Sequence, residues 1–186
     1  LQGAFPDNSE SITLRLDPDA FTLDDQLPVI LPKKKLLTVI PRITPSLQPL
    51  LQPVIKSLEQ TSLPTADSAA DLTISVYNPL NPGPLEPGHG IVFLERSTLP
   101  ANYLKGQIYA EHHPSIEGLN WQGLLARSSA GKPLLETDTP LLWQNDRTLI
   151  FLRADDKGSK LIFNFDISSS NASRLPAFVV TIHRFV

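Results

Sequence analysis

The alternation of apolar and polar positions divides the chain into segments of two different periods. Leu161-Ile162-Phe163-Asn164-Phe165-Asp166-Ile167 is almost continuously apolar, as expected of a strand covered on both faces, because a half-buried strand alternates. Ser168 to Ser173 interrupts the run, and Leu175, Phe178, Val179, Ile182 and Val186 then recur at helical spacing. Ser173 is the expected N-cap of that helix, and Pro176 fits its first turn, where the missing N–H has no helical partner anyway. Strand, loop and amphipathic helix make an α/β unit. Leu36-Leu37-Thr38-Val39-Ile40 begins a second such unit, a short apolar run followed by the stripe Leu47, Leu50, Leu51, Val54, Ile55 and Leu58. Thr44 is the expected cap of this helix. Pro49 and Pro53 lie off the stripe, and an interior proline costs about 3 kcal/mol, so the helix either kinks with its bend toward solvent or begins at Pro49.

Leu72-Thr73-Ile74-Ser75-Val76 and Ile91-Val92-Phe93-Leu94 are further short apolar strands. Ser11 to Leu16 alternates, with Ile12, Leu14 and Leu16 against Thr13 and Arg15, which predicts a strand with one buried face, and Asp17 to Gln26 reads as loop. From Gln107 to Arg153 the runs Ile108-Tyr109-Ala110, Leu134-Leu135, Leu141-Leu142-Trp143 and Thr148 to Leu152 are separated by closely spaced turn residues, as in antiparallel hairpins. Asp155-Asp156-Lys157-Gly158-Ser159 is the clearest turn, joining antiparallel neighbours. The expected fold is therefore α/β. Strands near 36, 72, 91 and 161 form an open, mostly parallel sheet with antiparallel hairpin additions between about 133 and 167. Helices are expected near 46–60 and 174–186. Residues 1–32 are read as a short β segment leading in from a preceding β-rich domain, and 33–186 as the α/β domain. An all-β sandwich, favoured by the prolines and hairpins, is the competing class.

Composition narrows the function classes. The chain has 186 residues, 41% of them hydrophobic, enough for one core of ordinary size. A net charge of -3 provides no basic stripe for nucleic acid. No run approaches the roughly 20 apolar residues of a spanning helix, and Leu1-Gln2-Gly3-Ala4 does not read as a signal peptide. The absence of Cys removes disulfides, thiolate zinc sites and cysteine nucleophiles together. The absence of Met, an initiator included, suggests a mature protein or a fragment. Several of the 18 prolines cluster between Asn78 and Gly88, which predicts a stiffened loop, since each fixes its own φ and biases its predecessor toward extended backbone.

The order of several motifs resembles a known family. Asp17-Pro18-Asp19-Ala20-Phe21-Thr22-Leu23-Asp24-Asp25, the strand and helix from Leu36 to Leu58, and Ala70-Asp71-Leu72-Thr73-Ile74 ahead of the proline-rich loop come first. His113-Pro114-Ser115-Ile116-Glu117-Gly118-Leu119 follows, then Phe163 to Ile167 through Ser170-Asn171 to Leu175-Pro176-Ala177-Phe178. Together they resemble the extracytoplasmic region of Bat-type (aerotolerance-regulator) membrane proteins. The resemblance is to the part that follows the von Willebrand A-like domain and has a class I glutamine-amidotransferase-like, flavodoxin-like architecture. It implies a periplasmic or otherwise extracytoplasmic domain of a protein anchored in the bacterial cytoplasmic membrane, with no activity assigned to the module. Its partners would be other domains of the same protein and separate partner proteins.

An amidotransferase needs an activated thiolate on a strand-to-helix turn. Without cysteine that chemistry is excluded, and no Gly-x-Ser-x-Gly elbow replaces it; Pro41-Arg42-Ile43-Thr44 occupies the first strand-to-helix junction. His112-His113 with Glu111 and Glu117 invites a metal reading, yet adjacent side chains on extended backbone point to opposite faces. His89 and His183 are distant in sequence, so structural or solvated roles are preferred, with His113-Pro114 starting a turn. Asp24-Asp25 and Asp155-Asp156 fit neither the separation needed for glycoside hydrolysis nor a calcium loop, and are read as turns. Trp121, Trp143, Tyr103 and Tyr109 are read as core or edge packing rather than a carbohydrate surface. Asn171-Ala172-Ser173 is a glycosylation sequon that matters only in a eukaryotic secretory route. Asp166 stands at the carboxyl end of a buried strand, where open α/β sheets place their sites, although it also suits a cap on the following loop.

The sequence thus predicts a non-enzymatic interaction or scaffolding module without cofactor or metal. The alternative is a binding module for a small molecule or saccharide at the carboxyl edge of the sheet. Asp166, Asn171 and His113 are the candidate binding-surface residues.

Overall fold

A computed structural model of the chain describes residues 11–15, 26–30, 37–58, 61–62, 70–95, 102–128 and 130–186. Two compact units divide it, residues 1–35 and 36–186. In the first, β1 (Ser11–Arg15) pairs antiparallel with β2 (Gln26–Ile30), Ser11 opposite Ile30 and Arg15 opposite Gln26. Sequence reasoning missed β2, because Pro28 demotes a strand assignment; a two-stranded ribbon tolerates it, each strand having a side without a ladder partner. Gln26 is accordingly strand rather than loop. The expected buried face of β1 is also corrected: Leu14 is 49% exposed and Ile12 is only partly covered. Leu16, the segment 17–25 with Asp24-Asp25, Leu36 and the far end of the predicted first helix at 59–60 lie outside the described residues.

The second unit is built on an eight-stranded sheet of order β4-β3-β5-β6-β10-β9-β8-β7. Its strands are β3 (Leu37–Arg42), β4 (Thr61–Ser62), β5 (Leu72–Tyr77), β6 (Gly90–Leu94), β7 (Ile108–Ala110), β8 (Thr139–Gln144), β9 (Arg147–Asp155) and β10 (Gly158–Asp166). Pairing is parallel from β4 through β10 and antiparallel from β10 to β7. Within the parallel part, the strand that comes second along the chain lies outside the first, and the third, fourth and fifth follow on the other side. The α/β class and the mixed sheet expected from the apolar runs are thus observed. Leu134-Leu135 is not a strand: Leu135 N–H bonds the Asp138 carboxylate and Asp138 N–H returns to Leu135 C=O, closing a turn.

Register explains why β6 and β10 read as continuous apolar runs. Ile91 pairs with Leu161 and Phe93 with Phe163, while Val92 pairs with Ile162. Ile91, Phe93, Leu161 and Phe163 join the main core, where α1 (Gln48–Ser57) contributes Leu51, Val54 and Ile55 and α2 (Pro176–Phe185) contributes Phe178 and Ile182. Phe163 lies 5.0 Å from both Phe93 and Phe178, ring centre to ring centre. Both helices therefore cover the same face of the sheet. Val92, Ile162, Tyr77, Leu94 and Phe151 form a smaller cluster on the other face, against which Leu85 of the proline-rich loop packs. Both sides of the central strands need cover, and on the second side a loop supplies part of it. Among the described residues no helix is long and apolar enough to cross a membrane.

The helices show how prolines and caps are resolved. Pro49 falls in the first turn of α1 and Pro53 lies inside it on the exposed side. Neither expected cap is used. The boundary residue of α1 is Leu47, whose N–H bonds Thr44 C=O, and α2 begins after Leu175, whose extended backbone leads directly into Pro176. Ser173 sits in a 3-10 turn, Ala172–Arg174, too early to reach the first helical amides.

A buried ion pair fastens the 131–138 segment to β9. Asp138, with its side chain fully covered, accepts from Arg153 Nε at 2.7 Å and from Nη2, while Nη2 also donates to Pro133 C=O at 2.9 Å. Burial alone would raise the Asp138 pKa, but the Arg153 hydrogen bonds and charge, the Leu135 N–H and Lys132 outweigh it and hold the carboxyl below its ordinary value. A depressed carboxylate contributes stability that is complete above its unfolded pKa, about 3.9, and is lost as pH falls through the lower folded value. Asp138→Asn is expected to lower stability at pH 7 by about 3 kcal/mol. Because the variant lacks this titration, the deficit should shrink as pH falls below about 4; urea midpoints at pH 7 and pH 3 test both statements.

Candidate functional site

At the carboxyl ends of parallel strands the chain must turn away from the sheet, and polar side chains gather there to satisfy the departing backbone. Glu95, directly after β6, is held at the sheet by its N–H to Tyr77 C=O, and Ile167, directly after β10, donates to Leu94 C=O at 3.0 Å. The Glu95 carboxylate accepts from Thr44 Oγ1 at 2.7 Å and from Ser46 Oγ, and the two hydroxyls lie 2.8 Å apart. This joins the entry of α1 to the end of β6. Asp166 is 4% exposed; it accepts from Ser168 N–H at 3.1 Å, Ser168 Oγ at 2.6 Å and Ser169 Oγ at 2.9 Å. Asn171 fastens a distant loop, accepting from Leu125 N–H at 2.7 Å and donating to Gly123 C=O at 2.8 Å.

Between these walls lies an open cleft of about 760 Å³. Ser46 and the first turns of α1 form one side, and Ser168, Ser169, Ser170, Asn171 and Arg174 the other, with Tyr103 and Leu125 at the margin. The lining is rich in hydroxyls and carries one cation, Arg174.

Of the three predicted binding-surface residues, Asn171 lines this cleft and Asp166 supports its wall from behind. His113 belongs elsewhere: its Nδ1 accepts from Ser115 N–H at 3.1 Å and its C=O accepts from Ile116 and Glu117, making the turn expected of His113-Pro114. Sequence reasoning missed Glu95, Thr44 and Ser46. The available signal was their place, polar residues immediately after apolar strand runs.

The remaining titratable groups are dispersed. His112 Nδ1 lies 3.1 Å from Glu117 on the surface, and His89 stacks on Phe185. Among the described residues no group of three His, Asp or Glu side chains converges as a metal site. Ser57 Oγ and His183 Nε2 are 3.1 Å apart, but Ser57 Oγ also donates at 2.7 Å to Val54 C=O. Its single proton is thereby engaged, so the histidine is the donor in that pair and not a base acting on the hydroxyl. Asp155 stands in the expected turn, where the Lys157 N–H and the Lys160 ammonium hold its carboxyl below the usual range. Trp121 is core, and Trp143 Nε1 bonds Glu111. The two tyrosines lie at the edge rather than in the core, Tyr109 on the outermost strand β7 and Tyr103 under the Arg127 guanidinium.

Compared with protein-family models, curated proteins and solved structures, the chain matches none.

If Asp166 serves the loop, Asp166→Ala should cost about 1–3 kcal/mol through donors left without their acceptor. Amide exchange at Ser168 should accelerate more than at Phe163 in the core. Hydrogen exchange with a urea titration measures both.

Proposed function

We propose that the chain is a non-enzymatic recognition module, presented outside the cytoplasm by a bacterial membrane protein of the Bat type, with a glutamine-amidotransferase-like, flavodoxin-like architecture. Its working surface is the carboxyl-edge cleft. Support for the architecture comes from the parallel strand order, second, first, third, fourth, fifth, which is that of flavodoxin-like sheets. The motif order from Leu36 to Phe178 supports the family assignment.

One observation carries the non-enzymatic reading: the carboxylates of Glu95 and Asp166 at the carboxyl edge are both engaged by donors of the chain itself, Glu95 from the entry of α1 and Asp166 from its own loop. Glu95 is bonded by Thr44 and Ser46, and Asp166 by Ser168 and Ser169. A carboxylate that takes a proton from a substrate must turn an oxygen toward it, and each oxygen of Glu95 and of Asp166 faces a hydroxyl or amide of the chain. Here those groups stiffen a surface instead. A preformed cleft suits recognition, since little ordering entropy is lost on binding.

A second reading, a small polyhydroxylated ligand such as a saccharide, is favoured by the hydroxyl lining of Ser46, Ser168, Ser169 and Ser170 around the cleft. Two measurements separate the possibilities. Purified chain is expected to show no turnover of glutamine amides or activated esters; sustained hydrolysis, lost in Ser46→Ala or Ser170→Ala, overturns the proposal. In a thermal-shift panel of neutral saccharides, a true ligand at a hundred times its Kd adds about 2.7 kcal/mol. Such a shift, abolished by Ser170→Trp in the cleft, establishes the saccharide reading, whereas a flat panel favours a macromolecular partner.

A further inference from the structure

We propose, resting on the reading of the carboxyl-edge cleft as the working surface, that its ligand is an acidic saccharide: a sugar ring bearing one carboxylate, with Arg174 as the anchor of that carboxylate. Two features of the cleft carry this, the direction in which its serine hydroxyls donate and the single charge in its lining.

A serine hydroxyl has one proton to donate and two lone pairs with which to accept. Ser168 and Ser169 donate theirs to the Asp166 carboxylate at 2.6 and 2.9 Å. Ser170 donates to Ile167 C=O at 3.0 Å, and on the opposite side Ser46 donates to Glu95. The protons of these lining hydroxyls are thus engaged within the chain, and what they offer a ligand is oxygen lone pairs. The carboxylates that receive the protons of Ser46, Ser168 and Ser169 polarise those hydroxyls and make their oxygens better acceptors. Ser168 is exposed, and Ser169 and Ser170 are partly so, which puts them within reach of a ligand. The serine walls therefore call for a molecule rich in O–H donors.

Arg174 makes the opposite demand. It is the one charged residue of the lining, it is exposed, and among the described residues its guanidinium has no hydrogen bond or ion pair. Its planar fork of donors matches a carboxylate. Pro49, Leu50 and Pro53 of α1 add a hydrocarbon flank, suited to the C–H face of a sugar ring. These features select by exclusion as well as attraction. A phosphate- or sulfate-rich chain sets negative charge against serine oxygens backed by Asp166 and Glu95. A bare carboxylate meets Arg174 but brings no donor to the serines, and an amine meets the serines but opposes Arg174. A neutral sugar serves the serines yet gives Arg174 only a neutral acceptor, and charge-assisted hydrogen bonds are about twice as strong as neutral ones. One carboxylate on a hydroxylated ring satisfies all three.

The test is an NMR titration of the whole chain with sodium D-glucuronate and, in parallel, with D-glucose and sodium acetate. Glucuronate is expected to shift the backbone amides of residues 168–174 to saturation, with glucose and acetate each binding about fivefold more weakly or worse. Arg174→Gln, at an exposed residue whose side chain holds nothing else in place, should lower glucuronate affinity about fivefold, to that of glucose, and leave glucose within about twofold. Glucuronate with its ring hydroxyls O-methylated has no donor left for the serine oxygens and should not bind. Equal affinity for glucuronate and either glucose or acetate, binding of the methylated sugar, or unchanged glucuronate affinity in Arg174→Gln would overturn the proposal while keeping the cleft as the working surface. Silence across 168–174 with every sugar also overturns it and returns the cleft to a macromolecular partner, whereas saturating shifts confined to other parts of the chain overturn the cleft reading with it.

Discussion

The structure depends on the seam between β6 and β10. Two strands separated by some sixty intervening residues lie parallel, and their register brings Phe93 against Phe163, with Phe178 of α2 closing over both. Aromatic rings carry large buried areas and favour offset or tilted contact, so this trio locks strand spacing, register and helix docking together. A slip of one residue would exchange the two faces of the strand. It would bring Ile162 to the helix side and turn Phe163 toward the proline-rich loop.

The functional geometry follows from that register. Because Asp166 falls beside Leu94, the chain leaves β6 and β10 at one level, and Glu95 and Ile167 emerge together. Thr44 and Ser46 arrive from β3 on the same edge and bond Glu95. The cleft is thus a consequence of three strand ends made level by core packing. The carboxylates behind it hold hydroxyls and an amide of the chain itself, which ties the strand ends to the loops that follow them.

The long insertion between β6 and β10 is held by a different principle. Apart from the hairpin strands, its described residues form little regular structure, so isolated polar contacts accommodate their backbone. Asn164 bridges Lys132 and Thr148, Arg153 grips Asp138 and Pro133, and Asn171 ties Gly123 to Leu125. Each is a buried or half-buried polar group paired across a long stretch of chain. Losing one partner strands the other, which makes such contacts costly to break and specific in what they join.

Periodicity made the central strands, both helices and the β9–β10 turn legible, because they rest on local spacing of apolar residues and on turn chemistry. It misled or fell silent where the deciding partner is remote. Thr44 suited an N-cap locally but bonds Glu95, 51 residues away, and β2 was hidden by a proline that an unpaired strand side accommodates. By itself the sequence determined the α/β class, the central strands with the two helices, and the absence of a thiol nucleophile. Only the tertiary structure decided which strand ends meet and which polar groups are consumed in building the edge. The reason is that hydrogen-bond satisfaction depends on residues brought together by the core, and no local pattern encodes it.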